Sequence, residues 1–463
     1  MKILLIKYHE NESISTRLPE SINQVKGILP PLGLLYIASY LEKHGYEVKI
    51  LDIEALNLTS EEGRELILKE KADIVGITSS TSTLLGSFEA AKFAKESGAV
   101  VVLGGPQINA YPIESTSHPF IDYSILGEGE ETMLELTQAI EKNDKGKIET
   151  IGGLVYKKGG EVISNGARIT EDLDKLPFPS WHLLDLDKYD CIISEKPFIT
   201  MITARGCPFQ CGYCFKQPAD KKYRMRSAKN VVDEIEECIK KYKIKKVMFY
   251  EDTLTLKKDH VREICNIMIE RKLNIKWEAP TRVDCVDEDL LMLMKKAGCI
   301  RLRFGVESGD PRILEVMKRT TRLETVEKVF KICDKIGIET FAYFIIGYYS
   351  ETPESMDRTI NFAQKINPDW AMFNVATPLP KTNLFDITVK DGLIDGNYWS
   401  DVALGKKRER LPYLVKDANK WAKKAYMKFY FRPKFIFKKI RKLNSFSTLR
   451  HYVQGAKAIV LMS

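Results

Sequence analysis

The chain has 463 residues, 44% hydrophobic and 29% charged, which suits a globular protein of two or three domains with ample core. No run of eighteen apolar residues occurs, which excludes a membrane-spanning helix; residues 1–6 are too short an apolar run for a signal peptide, so the expected compartment is cytoplasmic. The net charge of +8 is concentrated at one end, because residues 401–463 hold 17 Lys/Arg against 3 Asp/Glu and the rest is slightly acidic.

Residues 1–135 alternate short apolar runs with helical stretches. Strands are predicted at 2–7, 47–52, 74–78, 100–103 and 123–126, with a helix over 32–44 that stops at Gly45. Such alternation implies an α/β domain with a parallel, doubly wound, Rossmann-like sheet that binds ligands at the carboxyl ends of its strands. Those ends carry a hydroxyl run that includes Ser80 and Ser82, the pair Gly104-Gly105, and the stretch Gly127-Glu128-Gly129-Glu130-Glu131-Thr132. Hydroxyls can bond a polar ligand, and paired glycines let a flat group approach the backbone. A nucleotide would satisfy the same features.

Residues 136–195 read as a connector, with a β-hairpin at 151–157 and 161–165 around Gly159-Gly160 and then a Pro-punctuated linker. Residues 196–385 return to strand–helix alternation. Six strands are predicted, at 198–203, 246–250, 276–280, 300–305, 340–346 and 370–376, which makes a partial (βα)6 TIM-like barrel. Its C-terminal rim carries Glu251, Asp252, Arg282, Glu307 and Ser308.

Directly after the first barrel strand comes Arg205-Gly206-Cys207-Pro208-Phe209-Gln210-Cys211-Gly212-Tyr213-Cys214. Cys207, Cys211 and Cys214 offer three thiolates on one short loop, and thiolates hold iron–sulfur clusters. Three ligands on a four-iron cluster would leave one iron open, as catalytic metal sites keep a free position. A zinc site would want a fourth Cys or His, and a disulfide framework does not suit an odd number of cysteines in a chain without a signal peptide. The other six cysteines read as buried structural residues.

Residues 386–463 form a basic, aromatic, helical tail. Lys416 to Ile440 mixes Lys423, Lys424, Lys428, Lys434, Lys438 and Lys439 with Trp421, Tyr426, Phe429, Tyr430, Phe431, Phe435 and Phe437. Short amphipathic segments of this kind suit an anionic membrane surface, giving peripheral contact, or a helical cap on the barrel with a solvated basic face. Nucleic acid is not expected.

The cysteine spacing, with Tyr213 before the last cysteine, resembles the radical S-adenosylmethionine (SAM) superfamily. The order of the whole chain, with its GG-P and GEGE-T elements ahead of the barrel, resembles the class that carries a cobalamin-binding domain. The resemblance implies a 4Fe-4S cluster on Cys207, Cys211 and Cys214, SAM, and cobalamin near Ser80, Ser82, Gly104, Gly105, Gly127 and Glu128. It implies Glu251 and Asp252 near the methionyl amino group, Glu307 and Ser308 near the ribose and carboxylate, and Arg282 as a planar fork for the carboxylate. The implied activity is reductive SAM cleavage to a 5′-deoxyadenosyl radical and C-methylation of an unactivated carbon on a small molecule. Cyclisation or rearrangement is the alternative within the class, and a cobalamin or redox sensor the alternative outside it. An external donor of flavodoxin or ferredoxin type is implied. Three departures stand out. The D-x-H-x-x-G element is absent after the first strand, which reads Tyr8-His9-Glu10-Asn11-Glu12, so no protein histidine is expected below cobalt. The turns Gly347-Tyr348-Tyr349 and Pro378-Leu379-Pro380 also differ from relatives at the substrate rim. Phe431-Arg432-Pro433-Lys434 resembles a segment of relatives that act on lipid-like substrates.

Overall fold

The computed structural model describes residues 1–9, 27–191, 195–217 and 222–441, together with the isolated positions 457 and 459. Glu10, Asn11 and Glu12 lie outside the described residues, as do the side chains of Lys438 and Lys439.

The first sheet holds β1 (Lys2–Lys7), β2 (Glu47–Asp52), β3 (Ile74–Thr78), β4 (Val100–Gly104) and β5 (Tyr123–Ile125) in the parallel order β2-β1-β3-β4-β5. The central strands read as continuous apolar runs because helices cover both faces. The strand order reverses between β1 and β3, and that crevice at the carboxyl ends is where doubly wound sheets take ligands. The connector's hairpin is part of this sheet: β6 (Leu154–Lys158) pairs antiparallel with β5, and β7 (Glu161–Ser164) with β6.

The second sheet holds β8 (Phe198–Met201), β11 (Lys246–Phe249), β12 (Lys276–Thr281), β13 (Cys299–Glu307), β14 (Glu339–Ile346) and β15 (Trp370–Val375). All six run parallel in chain order, and β8 does not pair with β15, so the barrel is open on one side. Between β8 and β11 a two-stranded ribbon, β9 (Ala204–Arg205) with β10 (Arg224–Met225), brackets the cysteine loop. The surrounding helices bury one apolar face each. The helix Ala228–Tyr242, for example, is capped by the Ser227 hydroxyl accepting from Asn230 N–H and buries Val231, Val232, Ile235 and Cys238. Cys238, Cys265, Cys299 and Cys333 lie in this core as expected, whereas Cys191 is only half-buried.

The tail completes the barrel. Helix Ala418–Tyr430 lies along β15, whose outer edge has no neighbouring strand among the described residues. The Tyr426 hydroxyl accepts from Phe373 N–H at 3.1 Å; the Tyr430 hydroxyl accepts from Ala371 N–H at 3.0 Å and donates to its carbonyl at 2.7 Å. Two phenols thus satisfy edge groups that would otherwise invite pairing with another chain. Phe429 and Phe435 are buried beside them. The aromatic residues that suggested a membrane surface are therefore largely consumed by the cap; Phe431 and Phe437 remain exposed. No helix among the described residues is long and apolar enough to cross a membrane.

Replacing Phe429 with Ala should cost about 3–5 kcal/mol, and Tyr430→Phe about 1 kcal/mol, in urea unfolding. Equal, negligible effects would show that the tail is not part of the barrel.

Candidate functional site

The two sheets point their carboxyl ends at each other across a cavity of about 850 Å³. Lys7, Thr78, Ser80, Gly104, Gly105, Gly127 and Glu128 contribute from the first domain. Ala204, Arg205, Gly206, Tyr223, Tyr250, Glu251, Asp252 and Arg303 contribute from the second. A chamber of this size is large for a small-molecule site.

What holds the two walls together is a buried ion-pair cluster. Arg205 donates to Glu128 at 3.1 Å and to Glu130 at 2.6 Å. Arg224, on the paired strand, makes a planar fork to Glu128 at 2.9 and 2.7 Å, and Glu128 also accepts from Thr170 N–H. Burial works against ionisation of Glu128, yet Arg224, Arg205 and the Thr170 N–H together hold its carboxyl below the usual range. Glu128 borders the cavity, but its oxygens are committed to the clamp, and the GEGE stretch couples one domain to the residue that opens the cysteine loop.

On the first-domain wall, Gly105 sits at φ +99° with the Ser79 backbone so close that a Cβ would collide with it. Gly104 is different: a Cβ there meets nothing within 4 Å and would project into the chamber. Ser80 lines the cavity and bonds Ser82 at 3.0 Å; Ser82 itself does not line it. No histidine lines the cavity among the described residues. His9 turns the other way, its Nε2 2.7 Å from the Leu58 carbonyl. Gly104 thus leaves room for a large flat group against the carboxyl end of the sheet.

On the barrel side, Cys207 and Cys211 are buried and Cys214 is half-buried. Burial pushes the Cys214 thiol up to about 11, so metal loading must displace its proton. Cations surround the loop. Burial opposes the charge on Lys216, but the thiolates of Cys214 and Cys207 favour it. Arg319 and Arg282 donate to the Cys211 sulfur at 3.5 and 3.9 Å. Among the described residues no three His, Cys, Asp or Glu close on a single ion. The cationic shell matches the charge that three thiolates on this loop would carry.

Glu307 ends β13 in the left-handed region at φ +70°, with a register shift in the β13–β14 pairing between Gly305 and Glu307. Its carboxylate folds back over Gly305, where any Cβ would strike Glu307 Oε1. It accepts from the Tyr213 hydroxyl; burial pushes its carboxyl up while Arg319 pulls it down. Strained backbone held by packing is common at functional sites. Glu251 is anchored by the Thr203 N–H at 3.2 Å and hydroxyl at 3.0 Å, and burial raises it to about 7. Asp252 is exposed beside Lys216.

Two expected residues are used otherwise. Ser308 is fully buried and bonds Thr359 at 3.0 Å, because its side chain faces the outer helix rather than the lumen. Arg282 forks onto Asp284 and stacks over Phe209, so its guanidinium is spent bracing the loop. Arg319 was missed. It lies buried between Cys211, Glu307 and the Gly305 carbonyl, a second guanidinium at the cysteine loop. A basic residue in the turn after the helix Pro311–Val316 was the available signal.

Comparison with known proteins agrees with both halves. Residues 201–363 match the radical SAM superfamily model, and residues 21–137 match the B12 binding domain model. An uncharacterized methyltransferase of Pyrococcus horikoshii is 35% identical over 451 residues, covering 95% of each chain. The anaerobic magnesium-protoporphyrin IX monomethyl ester cyclase of Rubrivivax gelatinosus is 33% identical over 374 residues, 78% of this chain and 67% of its own. The cobalamin-dependent radical enzyme OxsB, solved with aqua-cobalamin and SAM bound, superposes with a TM-score of 0.74 at 17% identity, over 99% of this chain and 71% of its own, and shares the fold.

Two outcomes follow from the walls. Gly104→Val should leave the fold intact but weaken cobalamin retention on gel filtration more than tenfold; unchanged retention would place the cofactor elsewhere. Glu128→Gln should cost about 3 kcal/mol in unfolding by leaving two guanidiniums facing a neutral amide. Because the native carboxyl is depressed, that contribution is full above the ordinary value near 4.5 and is lost as pH falls through the native one.

Proposed function

The chain belongs to the radical SAM family whose members carry a cobalamin-binding domain, and we propose that it methylates an unactivated carbon of a small molecule held between its two domains. The carrying observation is the shared chamber, bounded on one side by Gly104 and Gly105 and on the other by Arg205, Gly206 and Gln217, which flank the cysteine loop. When bound, the cluster with SAM supplies a 5′-deoxyadenosyl radical and cobalamin supplies a methyl group.

The chain's own residues bind and orient. Cys207, Cys211 and Cys214 hold the cluster, and Lys216, Arg282 and Arg319 balance its thiolates. Glu251, fixed by Thr203, is poised to accept from the methionyl amino group. Arg319 offers its guanidinium to the SAM carboxylate, and Glu307, held over Gly305, is a bidentate acceptor for ribose hydroxyls. The GEGE clamp keeps the two walls in register. A protein donor of flavodoxin or ferredoxin type would deliver the electron. Exposed Phe431 and Phe437, beside Lys434, leave a small patch for peripheral membrane contact and a lipid-like substrate.

A second reading, cyclisation with the same cofactors, is favoured by the likeness to the Rubrivivax cyclase. Products separate the two. Reduced, reconstituted protein should convert SAM to 5′-deoxyadenosine, and S-adenosylhomocysteine beside it marks methylation; 5′-deoxyadenosine alone marks cyclisation. Neither product would leave a cofactor-binding sensor. SAM binding should strengthen as pH rises through about 7, where Glu251 ionises and can accept, and Glu251→Gln should bind weakly and lose that dependence.

A further inference from the structure

We propose that Arg303 anchors an oxyanion, a carboxylate or a phosphoryl group, on the substrate. This rests on reading the chamber as the place where substrate is modified.

Arg301 and Arg303 alternate inward along β13 and meet Glu278 of β12 inside the barrel. Glu278 is fully buried and shared by three cations. Its Oε2 accepts from Lys246 and from Arg301, each at 2.6 Å, and its Oε1 accepts from Arg303. Arg301 continues to Glu339 at 2.6 Å. Among the described residues this network sets three cations against two carboxylates. The Lys246 and Arg301 side chains are 1% and 5% exposed, and Arg303, at 14%, is the member that lines the cavity. The positive surplus therefore surfaces in the chamber at Arg303.

Other charged groups that line the chamber are differently placed. Lys7 faces Asp52 and Glu54; Arg205 faces Glu128 and Glu130; Asp252 faces Lys216. Arg303 instead shares one carboxylate with two other cations, and among the described residues its buried Nε has no hydrogen-bond partner. Glu278 Oε1 and the Tyr343 hydroxyl engage only part of its fork, and the planar guanidinium is suited to a bidentate oxyanion. The Tyr343 hydroxyl stands beside it, and Phe341, its register partner on β14, adds an apolar flank. An oxyanion here would restore the charge balance and fix the remainder of the substrate upward, toward the cysteine loop.

Calorimetric titration of the full chain, loaded with cluster and cobalamin, tests this with phenylphosphonate, benzoate and neutral benzamide. At least one anion should bind about tenfold tighter than benzamide, and whichever it is distinguishes a phosphoryl from a carboxylate substrate. Arg303→Met should abolish that preference, and Arg303→Lys should retain part of it. If the Met variant fails to hold cobalamin, the Lys variant carries the comparison. Equal binding of all three probes, or anion binding unchanged in both variants, would overturn the proposal. Formation of 5′-deoxyadenosine by the wild type is scored separately: its presence without an anion preference sinks this inference alone, whereas its absence sinks the enzymatic reading.

Discussion

The structure depends on one buried contact between domains: Glu128 and Glu130 gripping Arg205, with Arg224 completing the fork. A doubly wound sheet and an open barrel each have polar strand ends that need something to face. Here they face each other, joined by charge-assisted bonds beside the apolar packing of Leu35, Ala55 and Phe385 across the same boundary. Arg205 opens the cysteine loop, so whatever shifts the first domain also shifts Cys207, Cys211 and Cys214. A pair of this kind specifies geometry more than it stabilises, since its desolvation offsets much of its attraction.

That geometry gives the chamber two unlike walls. One is nearly bare backbone, where Gly104 opens onto empty space. The other is dense with buried charge, from the cationic shell of the thiolates to the surplus at Arg303. A broad planar group and a charged small molecule can thus share one space without competing for the same contacts. The tail's tyrosines close the open flank of β15, which lets the barrel remain incomplete without exposing an adhesive edge.

Most of the architecture was legible in the chain. Strand limits were readable to a residue or two because parallel strands are uninterrupted apolar runs, and the cysteine spacing located the reactive loop. The roles of individual polar residues were less so. Glu128 meets its partners 77 and 96 residues further along, a separation no local pattern reports. Ser308 reads like a rim residue, but one step of alternation turns it outward. An amphipathic aromatic helix looks the same whether its apolar face meets lipid or the edge of a sheet, which is why the tail suggested both. Arg319 stayed hidden because a basic residue in a turn is ordinarily solvated, and only the fold folds it under Cys211.

The central claim is that one chamber serves both cofactors at once. Pulsed electron paramagnetic resonance on protein carrying cob(II)alamin and the reduced cluster reads this directly. A resolved spin–spin coupling between cobalt and cluster is the predicted result; two magnetically isolated centres would contradict it.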